Sequence, residues 1–127
     1  MGVAEPNHIN HAFASAFNDR NIEGLAALYE PNAILYADES GTRLTGLDAI
    51  KAALQQLMQV PGTMVSRNNF CIRHGDLALL RADWELVAED GSFVASGSST
   101  ELVRRQSDGS WRYVMDHAVG ASLPRSI

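Results

Sequence analysis

The chain has 127 residues and a formal charge of -5 at neutral pH. That size suits one domain, residues 1–127, and the charge supplies no basic stripe of the kind a nucleic-acid-binding surface needs. Hydrophobic residues make up 46% and charged residues 20%, enough apolar side chain for a packed core and too little polar bias for disorder.

No apolar run approaches bilayer-spanning length, and the start Met1–Pro6 has no basic region followed by an apolar leader, so neither membrane attachment nor export is expected. The single cysteine, Cys71, excludes an internal disulfide and a multi-cysteine metal site, and reads as a small buried hydrophobe in an apolar run. There is no Gly-x-Gly-x-x-Gly and no Gly-Lys-Ser/Thr loop. The expectation is a cytoplasmic protein with no metal, no cofactor, no nucleic-acid partner and no membrane partner.

Residues 5–19 read as a first helix. Pro6 suits its first turn, and Ile9, Phe13, Ala16 and Phe17 recur at helical spacing. His8 and His11 lie three apart on it, without a third ligand at usable spacing, and are read as surface residues. After the break at Asn18–Asn21, Asn21 can cap a second helix with Glu23 in its first turn, carrying Leu25, Leu28 and Tyr29 inward and stopping before Pro31. Asn32–Ala37 is a first strand, Asp38–Gly41 turns the chain, and Arg43–Leu44 can pair briefly with that strand. Gly46 opens a third helix reaching about Val60, with Ile50, Leu54, Leu57 and Met58 on its buried face and Pro61–Gly62 ending it.

From Met64 onward the pattern is all strand. Met64–His74 ends at a turn through Gly75–Asp76. Two Asp-Gly hairpins, Glu89–Ser92 and Ser107–Ser110, then join three long strands. Helices first and strands afterwards argue an α+β domain, with three N-terminal helices packed on the concave face of a curved antiparallel sheet.

If Asp90–Gly91 is a two-residue turn, Trp84 pairs with Gly97 and Leu80 with Glu101. Leu80, Ala82, Trp84, Leu86, Phe93 and Val103 then share one face with a single charge, Glu101. Arg81, Asp83, Glu85, Ser96, Ser98 and Thr100 share the other. Desolvating the second set is costly, so the first is the core face. Trp84 opposite Gly97 leaves room above the glycine for a ring or a ligand.

The last strand admits two phases. A two-residue turn at Asp108–Gly109 puts Asp116 opposite Glu101, inward with Val114 and Ala118. A type I turn with a glycine bulge turns Trp111, Tyr113, Met115 and His117 inward instead. Apolarity favours the second phase.

The order of elements, with Phe13–Leu25, Leu28–Ala33, Thr45–Ile50, Gly75–Ala78, Asp108–Arg112 and Asp116–His117, resembles the SnoaL-like branch of the nuclear transport factor 2-like (cystatin-like cone) fold over roughly residues 8 to 120. The resemblance implies a cone-shaped α+β barrel with a pocket between the concave sheet face and the helices. Scaffold-mates include isomerases, cyclases, dehydratases, epoxide hydrolases and assembly domains. Likeness to the ketosteroid isomerases favours the first phase of the last strand, because Glu101 and Asp116 then fall near pocket positions. The same likeness speaks against steroid isomerisation. The position of the isomerase tyrosine holds Phe13, which cannot donate, and that of its aspartate holds Ala37, with Asp38 one residue off and turned the other way. Likeness to kinase association domains marks Arg81 as a pocket arginine, yet the strand phase puts it outside.

The candidate catalytic residues are therefore Glu101 with Asp116, a carboxylate pair, or Glu101 with His117, an acid–base pair. Tyr36, Asp38 and Trp84 are candidate ligand-binding residues at or near the pocket mouth. Two functions follow: acid–base chemistry on a small apolar molecule, as an isomerase, cyclase or hydrolase, or non-catalytic ligand binding or assembly. What separates them is whether two ionisable groups meet inside a cavity large enough for a ligand. A homodimer through the outer face of the sheet is expected in either case.

Overall fold

The computed structural model describes residues 2–126. A 3-10 turn, Pro6–His8, leads into α1 (Ile9–Asn18), which is followed by the five-residue α2 (Ile22–Ala26). Asn21 does cap α2, its side chain accepting the Gly24 N–H at 3.0 Å. Strand β1 (Tyr29–Tyr36) starts earlier than its apolar run suggests, and a two-residue β2 (Leu44–Thr45) pairs with it. Helix α3 (Leu47–Leu57) ends three residues short of Val60, in a turn that closes through backbone bonds to Gln56 and Leu57. Then come β3 (Thr63–His74), β4 (Leu77–Val87), β5 (Phe93–Arg105) and β6 (Trp111–His117), and a last 3-10 turn, Gly120–Ser122.

The six strands form one curved sheet in the order β2-β1-β6-β5-β4-β3. The sheet is mixed and not purely antiparallel, since β1 runs parallel to β6. The reason is topological: β1 leaves the sheet for α3 and the hairpin strands return along its other edge, so the last strand meets the first in the same direction.

Only α1 and α3 cover the concave face directly. Helix α2 is too short to reach it and packs on the other two helices. One hydrophobic cluster fills the space between, built on Ile9, Phe17, Leu25, Ile50, Leu80 and Val103, all fully buried. Among the described residues no helix is long and apolar enough to cross a membrane.

Both Asp-Gly hairpins are three-residue loops, not two-residue ones. The Ala88 N–H bonds the Ser92 carbonyl and the Gln106 N–H bonds the Ser110 carbonyl, with Gly91 and Gly109 each at φ 85°. That left-handed backbone is why each loop ends in glycine. In each loop the aspartate, Asp90 or Asp108, accepts the backbone N–H of the serine two residues on at 2.9 Å.

This loop type shifts the register by one, and in both hairpins a bulge then shifts it back. Leu86 pairs with Ala95 but Val87 with Phe93, leaving Val94 as the extra residue. Leu102 pairs with Met115 but Val103 with Tyr113, leaving Val114 extra. Beyond the bulges Trp84 faces Gly97 and Leu80 faces Glu101, the pairing a two-residue turn would have produced. Near the turn the pairing differs, and Phe93, expected on the core face, is 67% exposed.

Candidate functional site

The bulge at Val114 decides what the concave face contains. An unbroken β6 would place Trp111, Tyr113, Met115 and His117 on one face and Asp116 on the other. With one extra residue between them, Trp111, Tyr113 and Asp116 all turn inward and are buried, while Met115 is exposed. Each of the two expected phases therefore holds over half of the strand.

Asp116 stands directly across from Glu101. His117 pairs with Thr100 and Tyr36 on the outer face, its ring stacked on the Tyr36 ring at 5.1 Å and 10° and its Nδ1 accepting the Val119 N–H. His117 and Tyr36 do not line the cavity. Asp38 is exposed in the turn after β1, accepting the Ser40 N–H. Trp84 does line the cavity, although its indole takes up the space expected above Gly97. The indole donates to the Ala118 carbonyl at 2.6 Å, and a Cβ on Gly97 would lie 3.0 Å from its ring and 2.8 Å from Val119.

The cavity between α1, α3 and the sheet has a volume of about 180 Å³. Its wall is apolar through Phe13, Leu35, Leu54, Leu57, Met64 and Leu86. Its polar end is a cluster that no local stretch of sequence contains. Glu101 is 3% exposed and Asp116 8%. The Tyr29 hydroxyl donates to Asp116 Oδ2 at 2.5 Å, and the Asn10 amide donates to Glu101 Oε1 at 3.0 Å. The Tyr113 hydroxyl donates to Asn10 Oδ1 at 2.6 Å, and its ring lies 4.9 Å from that of Tyr29.

Burial pushes Glu101 up to about 8, and the charge of Asp116 opposite pushes the same way, against donation from Ser99 and Asn10. Burial raises Asp116 to about 6, with the Tyr29 hydrogen bond opposing. Both tyrosines are raised well above their usual value, chiefly by burial, and remain protonated donors. Two buried carboxyls facing each other cannot both ionise cheaply, so near neutral pH the pair favours holding one proton between them. That is an acid facing a base.

Asn10, Tyr29 and Tyr113 were not singled out for this cluster by residue pattern. Asn10 carried a signal: it lies four and seven residues before Ala14 and Phe17, a polar side chain on the buried stripe of α1. Tyr29 carried none, because its role depends on a parallel pairing between the first and last strands. Among the described residues no group of three His, Cys, Asp or Glu side chains is placed to hold a metal.

The SnoaL-like domain model matches residues 10–114, most of the chain. The chain belongs to the SnoaL-like domain family. No functionally curated protein matches it. Among solved structures, a candidate calcium/calmodulin-dependent protein kinase type II association domain from Thiobacillus denitrificans is similar at 20% identity, covering 94% of this chain and 97% of that one with a TM-score of 0.79. A ketosteroid isomerase-like protein from Erwinia carotovora atroseptica matches at 19% identity over 86% and 88%, TM-score 0.73. An NTF2-like protein of unknown function from Pseudomonas putida matches at 24% over 87% and 80%, TM-score 0.70. At such identities the likeness speaks for the fold alone.

Proposed function

We propose that this SnoaL-like domain carries out acid–base chemistry on a compact, neutral, largely apolar molecule, as an isomerase, cyclase or hydrolase. Glu101 is the proton donor, Asp116 the proton acceptor, and Trp84 packs the substrate. The observation that carries this reading is the pair itself: two carboxyl groups face each other at the polar end of an apolar cavity, both holding protons more tightly than usual.

The wall sets the substrate class. Among the described residues no lysine, arginine or histidine lines the cavity, so a carboxylate or phosphate would meet negative charge with nothing to offset it. The volume of about 180 Å³ falls below the roughly 300–1,000 Å³ of sites for drug-sized ligands. A single-ring or short branched molecule suits it better than a fused four-ring one. Phe13 and Ala37 on the wall supply neither a hydroxyl donor nor a base, so the tyrosines and carboxylates of the strands take those roles.

The test is deuterium incorporation next to the carbonyl, together with turnover, across a panel of small neutral enones, hydroxyketones and epoxides. Conversion that falls by at least about 100-fold in both Glu101→Gln and Asp116→Asn, without loss of folding, is the expected result. Compounds that bind the cavity but neither exchange nor react would leave a binding domain.

A second observation favours assembly as well. On the outer face Ile72, Leu79, Leu102, Met115 and Ile34 align in one row across five strands. Beside it, Arg81 has a buried Nε without a hydrogen-bond partner among the described residues. The occupant that fits this row is a second copy of the chain, whose identical apolar row can lie across it about a two-fold axis.

A further inference from the structure

Asn10 is 6% exposed, at the N-terminal end of the buried stripe of α1. A buried primary amide has two N–H donors and a carbonyl to satisfy, and each is committed. The Tyr113 hydroxyl donates to Oδ1 at 2.6 Å, which turns Nδ2 towards Glu101 Oε1 at 3.0 Å and Asn68 Oδ1 at 3.2 Å. Asn68 is itself anchored, donating to the Asn7 carbonyl at 2.8 Å. Flipping the amide would set its oxygen against the acceptor oxygen of Asn68, whose own amide nitrogen is committed to Asn7, so the orientation is fixed from that side. The chain Tyr113–Asn10–Glu101 thus ties the third residue of β6 to the middle of β5 through a helix that neither strand adjoins in sequence.

An oxygen that accepts an amide N–H is the carbonyl-like oxygen of a carboxylic acid, so the acid hydrogen belongs on the other one. We infer that Asn10 is the positioning residue of this site: it anchors Glu101 Oε1, leaves Oε2 as the oxygen that carries the transferable proton, and keeps that proton exchangeable instead of locked in place. This role rests on the acid–base reading of the cavity.

Burial and the Asp116 charge both favour neutral Glu101, whereas the Asn10 and Ser99 donors favour its ionised form. The ionisable groups facing Glu101 are Asp116 and Tyr113 from β6 and Tyr29 from β1. The cavity-lining residues of α1, α3, β3 and β4 add none. Removing the amide donor therefore moves Glu101 in one direction only, towards tighter proton binding.

The experiment is a carboxyl ¹³C NMR titration of labelled Glu101 in the whole chain, comparing Asn10→Leu and Tyr113→Phe with the parent. In Asn10→Leu the Glu101 midpoint is expected to rise by about one pH unit, about tenfold in proton affinity. Tyr113→Phe keeps the amide but releases its carbonyl, so a smaller rise in the same direction is expected. Should Asn10→Leu fail to fold, Tyr113→Phe decides alone. Unchanged midpoints accompanied only by a lower melting temperature would make Asn10 a packing residue and overturn the assignment. Turnover is a separate readout. Midpoints that move in a protein converting nothing would sink the catalytic reading and leave Asn10's hold on Glu101 standing, while turnover with unmoved midpoints would do the reverse.

Discussion

Glu101 and Asp116 sit where a carboxylate is expensive. Each is largely withdrawn from water, and no cation among the described residues lines the cavity they share. Such a pair lowers its cost by keeping a proton, and this has a consequence for stability. Both groups bind protons more tightly in the folded chain than at their ordinary values of 4.5 and 3.8. The stability they contribute is fully present below those values. It is lost as pH rises through about 6 for Asp116 and about 8 for Glu101. Thermal melts between pH 4.5 and 8.5 should therefore fall with rising pH, and in Glu101→Gln the decline above pH 6 should flatten. An equally steep decline in that variant would show that other groups set the slope.

At the scale of elements, the site depends on how α1 is fastened to the edge of the sheet. Strand β3 is an edge strand, and an edge leaves backbone groups unpaired. The Asn18 side chain closes that gap at Met64 as a neighbouring strand would, accepting its N–H at 2.7 Å and donating to its carbonyl at 3.0 Å. Arg20 adds to the fastening, donating to the carbonyls of Phe17, Val60 and Gly62. Asn18→Ala removes two bonds from a half-buried pair and should cost about 1–3 kcal/mol. Chemical denaturation measures the loss, and faster hydrogen exchange at the Met64 amide would place it at this joint. A stability within error of the parent would show that water replaces both bonds.

Over the whole molecule the sheet has a cavity on one side and an apolar row on the other, and the strands that build one build both. Ile72 is 58% exposed, and Leu79 and Met115 are 42% exposed. Neighbouring apolar residues in register across five strands form a continuous patch, which monomeric proteins seldom leave open. Leu79→Glu puts a charge within that row without touching the cavity. Sedimentation equilibrium should show a dimer for the parent and a monomer for the variant, with the Glu101 titration unchanged. A parent that sediments as a monomer at high concentration would remove the assembly proposal and leave the cavity reading intact.

Much of this molecule was legible in the chain. Helical spacing, the Asn21 cap and the Asp-Gly hairpins are local signals, and local signals are written in neighbouring residues. The core face of β4 also followed, because the cost of burying Arg81, Asp83 and Glu85 permits only one face. The pairing of Trp84 with Gly97 and of Leu80 with Glu101 rested on a two-residue turn that the chain does not make, and it holds because the bulge at Val94 restores the register. The bulges at Val94 and Val114, the parallel pairing of β1 with β6 and the hydrogen bonds of Asn10, Tyr29 and Tyr113 were not legible. They arise only when segments up to 103 residues apart meet. By itself the sequence determined that Glu101 points into an apolar interior. Only the tertiary structure decided that Asp116, and not His117, faces it: one extra residue in β6 reverses the alternation of side chains, and what makes room for that residue is the packing of the sheet as a whole.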